Sequence, residues 1–358
     1  MKNYSLFIGI DISKSTLDII GLNPQSQITL QHLVIANTRL AVKQFLKKSA
    51  IDKSSTLVVF ENTGIYGHNL SQVLSQADVD FAEVSALEIH RSLGINRGKS
   101  DKKDAFSIAK YAISHLFELE LSHLADYDIN KLKLLYCQSE KIVKAIGQFK
   151  SIKESELFLS KDMTRELARS NDKLVRGLKK ALKEVESLIS KLIKSNLDLD
   201  NNYNLAKTVP GIGVQLATYL IIVTHNFTRF SNSRKLACFG GVAPFPYQSG
   251  SSIHGRTKVS HLADKKLKTL LNMGALSVMK CDYQMREYYD RKVAEGKNKM
   301  LVLNNLRNKM LSHVFAVKID NNHTLTHTNL LFKIYQNSLS FIIEYDLALV
   351  AEVTKTPK

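Results

Sequence analysis

Alternation of apolar and polar positions is clearest at the start of the chain. Ser5 to Ile12, Thr16 to Leu22 and Ile28 to Ala36 each read as a short strand, with Asn23-Pro24-Gln25 as a turn signal between the last two. The period then changes. Leu40 to Leu46 spaces its apolar residues as a helix, Thr56 to Glu61 is again a strand, Gly67 to Leu74 a helix and Val79 to Val84 a strand. Ile95 to Ser114 is helical in its later part.

From about Ile129 to Asp200 turn formers nearly vanish, and a Lys- and Glu-rich stretch carries apolar residues at helical spacing. Val175, Leu178, Leu182, Val185, Ile189 and Leu192 recur in steps of three and four, as a coiled-coil seam requires. Packing against the preceding helix around Leu132 to Phe149 gives an antiparallel hairpin within one chain. Packing against another subunit gives an oligomer, and the pattern admits both. A new unit opens at Thr208-Val209-Pro210-Gly211-Ile212-Gly213 and runs into the apolar helix Val214 to Val223. The expected organisation is an α/β domain over residues 1–125, an α-helical coiled-coil spacer over 126–200, a mainly α domain over 201–320 and a tail, 321–358, of open role. Three strands in a meander followed by alternating α and β elements is the order of an RNase H-like domain, an analogy of fold.

Length and charge narrow the function. A chain of 358 residues is long enough for two or three domains, each with its own core. With 50 Lys and Arg against 33 Asp and Glu, the formal net charge of +17 points to a polyanionic partner, nucleic acid first. The basic residues are spread along the chain instead of forming one juxtamembrane block, and no apolar stretch reaches the roughly 18 residues of a membrane span. No leader pattern precedes the first strand, so a cytoplasmic protein that does not bind membranes is expected. Cys137, Cys238 and Cys281 are odd in number and lack Cys-x-x-Cys spacing, which speaks against a disulfide framework and a zinc site alike.

Four carboxylates carry the candidate chemistry. Asp11 ends the run Phe7-Ile8-Gly9-Ile10, and Glu61 ends Leu57-Val58-Val59-Phe60. Each is the first charge after a buried-type strand, so each belongs at a strand's carboxyl end. Asp101 and Asp104 stand one turn apart at the start of a helix and project from one face. Taken singly, such acids are commonly turn formers or helix caps. Together they form a cleft whose self-repulsion calls for a hard divalent cation, Mg²⁺ or Mn²⁺, and paired ions of this kind serve phosphodiester chemistry.

Two further motifs are weaker. Gly211-Ile212-Gly213 before a helix can present backbone N–H groups to a DNA phosphate, or it is simply a tight helix–helix turn. Pro244 to Ser252 reads as an ordered loop rich in hydroxyls, followed by His254, Arg256, Lys258, Lys265, Lys266 and Lys268. A serine among those cations can attack phosphorus, although such loops are far more often solvated turns.

The blocks Gly9-Ile10-Asp11-Ile12-Ser13-Lys14, Phe60-Glu61-Asn62-Thr63-Gly64, Lys99 to Ala105, Val209 to Gly213 and Ser249 to Lys258 stand in the order of one family. Over about residues 4 to 318 the chain resembles the insertion-sequence family one-ten transposases, relatives of the Piv invertase. The resemblance implies a RuvC-like DEDD domain, a coiled-coil spacer and a C-terminal transposase domain. It makes Asp11, Glu61, Asp101 and Asp104 the metal-binding acids and Ser249 the nucleophile, with Ser251 and Ser252 close by. It further implies double-stranded donor and target DNA, a structured guide (bridge) RNA, and dimers or dimers of dimers in which the acids of one subunit meet the serine of another. Gly211, Gly213, His254, Arg256 and Lys258 are the expected nucleic-acid contacts. Three other readings remain open: a junction nuclease that uses water, a sugar-kinase-like ATPase suggested by Gly9 to Ser13, and an RNA-binding scaffold in which the acids are only caps.

Overall fold

The computed structural model describes residues 2–49, 51–92, 100–122, 126–156, 161–249 and 253–321. The chain separates into two compact units, Met1–Ala125 and Asp126–Lys358.

The first unit runs β1 (Leu6–Ile12), β2 (Thr16–Leu22), β3 (Ile28–Ala36), α1 (Arg39–Lys48), β4 (Thr56–Glu61), a 3-10 turn at Gly64–Gly67, α2 (His68–Gln76), β5 (Asp80–Val84), α3 (Ala86–Ser92) and α4 (Asp101–Ser114). The sheet order is β3-β2-β1-β4-β5, with β1, β2 and β3 antiparallel and β1, β4 and β5 parallel. This is the meander-then-crossover order expected from the pattern. Of these elements the 3-10 turn and the seven-residue α3 had no counterpart in the sequence reading.

Side-chain alternation assigns each residue to one of two cores. Ile8, Ile10, Ile12, Leu17, Ile19, Val58 and Phe60 point to one face, where they pack on Val42 and Phe45 of α1 and on Leu70, Val73 and Leu74 of α2. Phe7, Leu57 and Val59 point to the other, against Ile108, Tyr111 and Ala112 of α4, and Ile20 and Leu22 meet Ala105 and Ala109 of the same helix. Asp11, Asp18 and Glu61 keep the parity of this second face, so three acids share the side of the sheet that α4 covers. The outer edge of β5 is occupied: Ser122 donates its N–H to Phe81 O and its hydroxyl accepts from Glu83 N, both at 2.8 Å. Among the described residues no further strand lies outside β3.

The second unit runs α5 (Tyr127–Glu156), α6 (Lys161–Ser195), α7 (Leu197–Thr208), α8 (Val214–Val223), α9 (Ser233–Phe239), β6 (Pro244–Ser249), β7 (Ile253–Val259), α10 (Lys265–Cys281), α11 (Tyr283–Ala294) and α12 (Lys299–Asn321). Ile142, Ile146 and Phe149 of α5 meet Val175, Leu178, Leu182 and Val185 of α6, which makes the two an antiparallel pair within one chain. The seam therefore finds its partner in the preceding helix.

The stretch expected to be a loop from Pro244 is instead the first strand of a two-stranded antiparallel ribbon. Pro244 and Pro246 lack the N–H that an interior strand must donate. A two-stranded ribbon has only edges, and the register shifts between Phe245 and Tyr247, so Pro246 sits at an irregularity where no ladder bond is required. Residues 250–252, with Ser251 and Ser252, and the tail from 322 lie outside the described residues.

Candidate metal centre and nucleic-acid interface

Asp11 is brought to α4 by the glycine two residues before it. A Cβ built on Gly9 would stand 2.2 Å from Ala105 O and 2.4 Å from Ala109 N, so the helix backbone rests directly on the strand and only glycine fits. Ser100 caps α4, its hydroxyl accepting from Lys103 N at 3.3 Å, and Asp101 and Asp104 occupy the first turn. There the unpaired N–H groups and the helix dipole favour negative charge. Asp11, Asp101 and Asp104 each offer an oxygen, and these atoms lie within 4.8 Å of one another. Opposite oxygens of an octahedral Mg²⁺ shell are about 4.2 Å apart, so the three fit such an ion with small side-chain adjustment.

The electrostatics agree with that fit. Burial, then Asp104, Asp101, Glu61 and Asp18 in that order, push the Asp11 carboxyl up to about 6. Glu61 is not one of the three clustered acids. It follows Phe60, the β4 partner of Ile10, so it extends from the strand beside Asp11 on the same face and contributes charge. The segments that follow Asp11 and Glu61 are tied together: the Asn37 amide donates to Ser13 O and to Tyr66 O, both at 3.0 Å.

The sequence reading missed Asp18. It lies directly opposite Asp11 in the β1–β2 ladder, is only 7% exposed, and accepts from His32 Nε2 at 2.7 Å. A signal was available, because Asp18 takes an inward position in a strand whose following residues on that face, Ile20 and Leu22, are apolar.

In the second unit Ser249 ends β6, its backbone paired with Ile253, and Gln248 pairs with His254. Arg256 lies on β7 and Lys258 is exposed on it, opposite Phe245. Lys265 is exposed at the start of α10. Lys266 departs from the expected basic surround, since its ammonium pairs with Glu140 of α5 and lies 5.9 Å from the Tyr136 ring. The two glycines separate in role. Gly211 has φ +82°, and a Cβ there would meet Val278 at 2.5 Å and Gly274 O at 2.7 Å, so it serves the packing of the α7–α8 turn on α10. Gly213 is exposed with open space around it and precedes α8 with no side-chain cap, leaving that helix's first N–H groups available.

Known proteins match both units. A model described as the transposase IS116/IS110/IS902 family matches residues 203–290, and the DEDD transposase model of IS110 elements matches residues 8–154. The pilin gene-inverting protein of Moraxella lacunata is 26% identical over 324 residues, covering 87% of this chain and 95% of that one. An IS110 insertion-element protein of 43.6 kDa from Streptomyces coelicolor is 34% identical over 113 residues, 32% of this chain and 28% of that one. Thermus thermophilus RuvC in complex with Holliday junction substrate aligns at 12% identity with a TM-score of 0.27, covering 33% of this chain and all of that one. With an N-terminal and a C-terminal model matched in sequence order, this chain belongs to the IS116/IS110/IS902 family of transposases.

Proposed function

We propose that Asp11, Asp101 and Asp104, with Glu61 beside them, hold divalent cations, Mg²⁺ or Mn²⁺, and that Ser249 of the β6–β7 hairpin is the nucleophile of a DNA strand-transfer reaction. The observation that carries this reading is the convergence of three carboxylates, from positions 11, 101 and 104, within 4.8 Å. Membership of a transposase family makes the chain an enzyme that cuts and rejoins DNA. A bound divalent ion would stabilise charge on the phosphate oxygens as the bond to phosphorus changes. The chain's own part is to hold that ion and to bring a hydroxyl in line. The Ser249 oxygen bonds to phosphorus, the bond to the leaving deoxyribose oxygen breaks, and the serine proton leaves with that oxygen. The resulting phosphoserine ester is opened by attack of a second DNA hydroxyl, which restores the serine.

His254, Arg256, Lys258 and the N–H groups after Gly213 are assigned to the DNA backbone, an assignment consistent with the dispersed charge of +17. On this reading Gly211 supports the turn and makes no direct contact. A structured bridge RNA pairs with donor and target DNA and chooses sequence, the protein reading duplex shape and phosphate. The helical arm α5–α6 acts as the spacer between units, and the active assembly is a dimer or dimer of dimers that works on the bacterial nucleoid in the cytoplasm. No described helix is long and apolar enough to cross a membrane.

The test uses the full chain, its guide RNA and a plasmid carrying the element's junction with Mg²⁺. A protein–DNA adduct stable to denaturant is expected from the wild type and from neither Ser249→Ala nor Asp11→Asn. Free hydrolysed ends from both wild type and Ser249→Ala would establish a water-using nuclease instead. Saturable micromolar ATP binding without affinity for nucleic acid would favour the kinase, and recombination unaffected by Asp11→Asn would favour the scaffold.

A further inference from the structure

Asp18 and His32 belong to the same end of the first unit as the acid cluster, and neither has a place in the reading above. Asp18 and Asp11 are ladder partners on adjacent antiparallel strands, so their Cβ atoms are about 5 Å apart on one face. Like charges directly opposite each other are unfavourable, and a buried carboxylate is costly unless it is bonded. A strand stabilised only for folding would carry Thr or Val here. Instead Asp18 is retained at 7% exposure, and one of its oxygens is engaged by His32, whose side chain is 24% exposed on the edge strand. The imidazole donates and the carboxylate accepts at 2.7 Å, which fixes where the second Asp18 oxygen points.

We propose that Asp18 is a positioning residue of the metal centre: oriented by His32, it adds negative charge behind Asp11 and strengthens the hold of the cluster on a divalent ion without ligating it. The inference rests on the reading of Asp11, Asp101 and Asp104 as metal ligands. Its physical basis is that groups just outside the ligand set orient ligands and tune affinity, typically by tenfold or more. Removing one charge about 7 Å from a divalent ion in a solvated cleft changes affinity by roughly tenfold.

The experiment is a Mn²⁺ titration of the full-length protein, with free Mn²⁺ read by electron paramagnetic resonance, beside thermal unfolding in EDTA. Asp18→Asn is expected to weaken Mn²⁺ binding by roughly tenfold while leaving the metal-free midpoint equal to or above that of the wild type, because it relieves the repulsion with Asp11. His32→Leu removes the donor and is expected to weaken binding severalfold, and His32→Gln, which keeps a donor, to restore it. A lowered metal-free midpoint with unchanged Mn²⁺ affinity in both Asp18→Asn and His32→Leu would mean that the pair merely ties β2 to β3, and the inference fails. Should Asp18→Asn not fold, the His32 pair of variants decides by the same criterion. Asp11→Asn separates the two claims: if it binds Mn²⁺ as the wild type does, the metal-centre reading itself is wrong, whereas its loss beside an unaffected Asp18→Asn sinks this inference alone.

Discussion

Asp11→Asn makes the metal-free protein more stable if the acid cluster is built for a cation. Burial and four neighbouring acids raise the Asp11 carboxyl from 3.8 to about 6. At 1.36 kcal/mol per pH unit the full shift would be about 3 kcal/mol, but Asp11 is only half-buried and solvent screening reduces this to about 1–2 kcal/mol held against the folded state once it is ionised, of which an Asn side chain recovers on the order of 1 kcal/mol after its own burial is counted. The sign follows from proton binding. Between pH 3.8 and about 6 the folded protein binds the proton that the unfolded chain has released, so this group's contribution falls as pH rises through that window and stays low above it. The gain from Asn is therefore absent below the window and complete at pH 7.5. Urea unfolding of the full chain in EDTA, followed by hydrogen exchange of β1 and α4 peptides, isolates the first unit's response. Adding Mg²⁺ or Mn²⁺ reverses the order, because ligand binding to the folded wild type adds stability with ligand concentration and the variant has lost a ligand. An Asn variant less protected than the wild type in EDTA at pH 7.5 would refute the reasoning.

Other perturbations probe the same architecture. Gly9→Ala puts a methyl where Ala105 O and Ala109 N already stand, so α4 must retreat by about 1 Å at a cost of roughly 1–3 kcal/mol, and Mn²⁺ affinity falls along with the urea midpoint. Gly211→Ala combines positive φ with contact on Val278 and destabilises the second unit by roughly 2–4 kcal/mol, whereas Gly213→Ala, in open space, changes stability by less than about 0.5 kcal/mol; differential hydrogen exchange separates them. Ile146→Ala opens the α5–α6 seam and costs about 2–4 kcal/mol, read as faster exchange confined to those helices. His225 and His313 are held neutral, both lowered to about 4, by burial first and then by Arg229 and Lys133 around His225 and by Lys309 beside His313. The unfolded chain takes up these protons near pH 6.5 and the folded chain does not, so stability is full above 6.5 and is lost toward pH 4, by about 3 kcal/mol for His313 and by less for the partly exposed His225, whose charge solvent screens. His313→Gln should flatten the acid limb of the stability–pH curve; an unchanged limb would show that His313 is not the titrating group.

Strand boundaries in the first unit were legible because β1, β2, β4 and β5 carry buried apolar runs and all five strands are bounded by turn residues; β2, β3 and β4 begin and end where the pattern placed them. The cluster of Asp11, Asp101 and Asp104 was legible for a related reason, since acids at strand ends and at a helix start are positioned by backbone geometry alone. Asp18 was overlooked because it interrupts an apolar strand without ending it, and its meaning depends on a register with β1 that only pairing supplies. The β6–β7 ribbon was obscured by its two prolines, whose veto on strands applies to interior strands and not to a ribbon made of edges. The Gly211-Ile212-Gly213 turn left two readings open because a Gly-x-Gly turn looks the same whether glycine admits a ligand or, as at Gly211, lets the backbone rest on Val278 and Gly274 of a distant helix.

The two borders of the five-stranded sheet are finished differently, and this bears on handling the protein. Ser122 closes one border, while the nine residues of β3 at the other contain no Lys, Arg, Asp, Glu or Pro, and Ile28, Leu33 and Val34 stand 45, 40 and 50% exposed. Borders of that composition recruit stray strands when the protein is concentrated or partly unfolded. A single lysine at Ile28, which pairs with Leu22 at the end of β3 away from Asp18, should suppress precipitation during expression and heating, measurable by light scattering, without adding a cation beside Asp18.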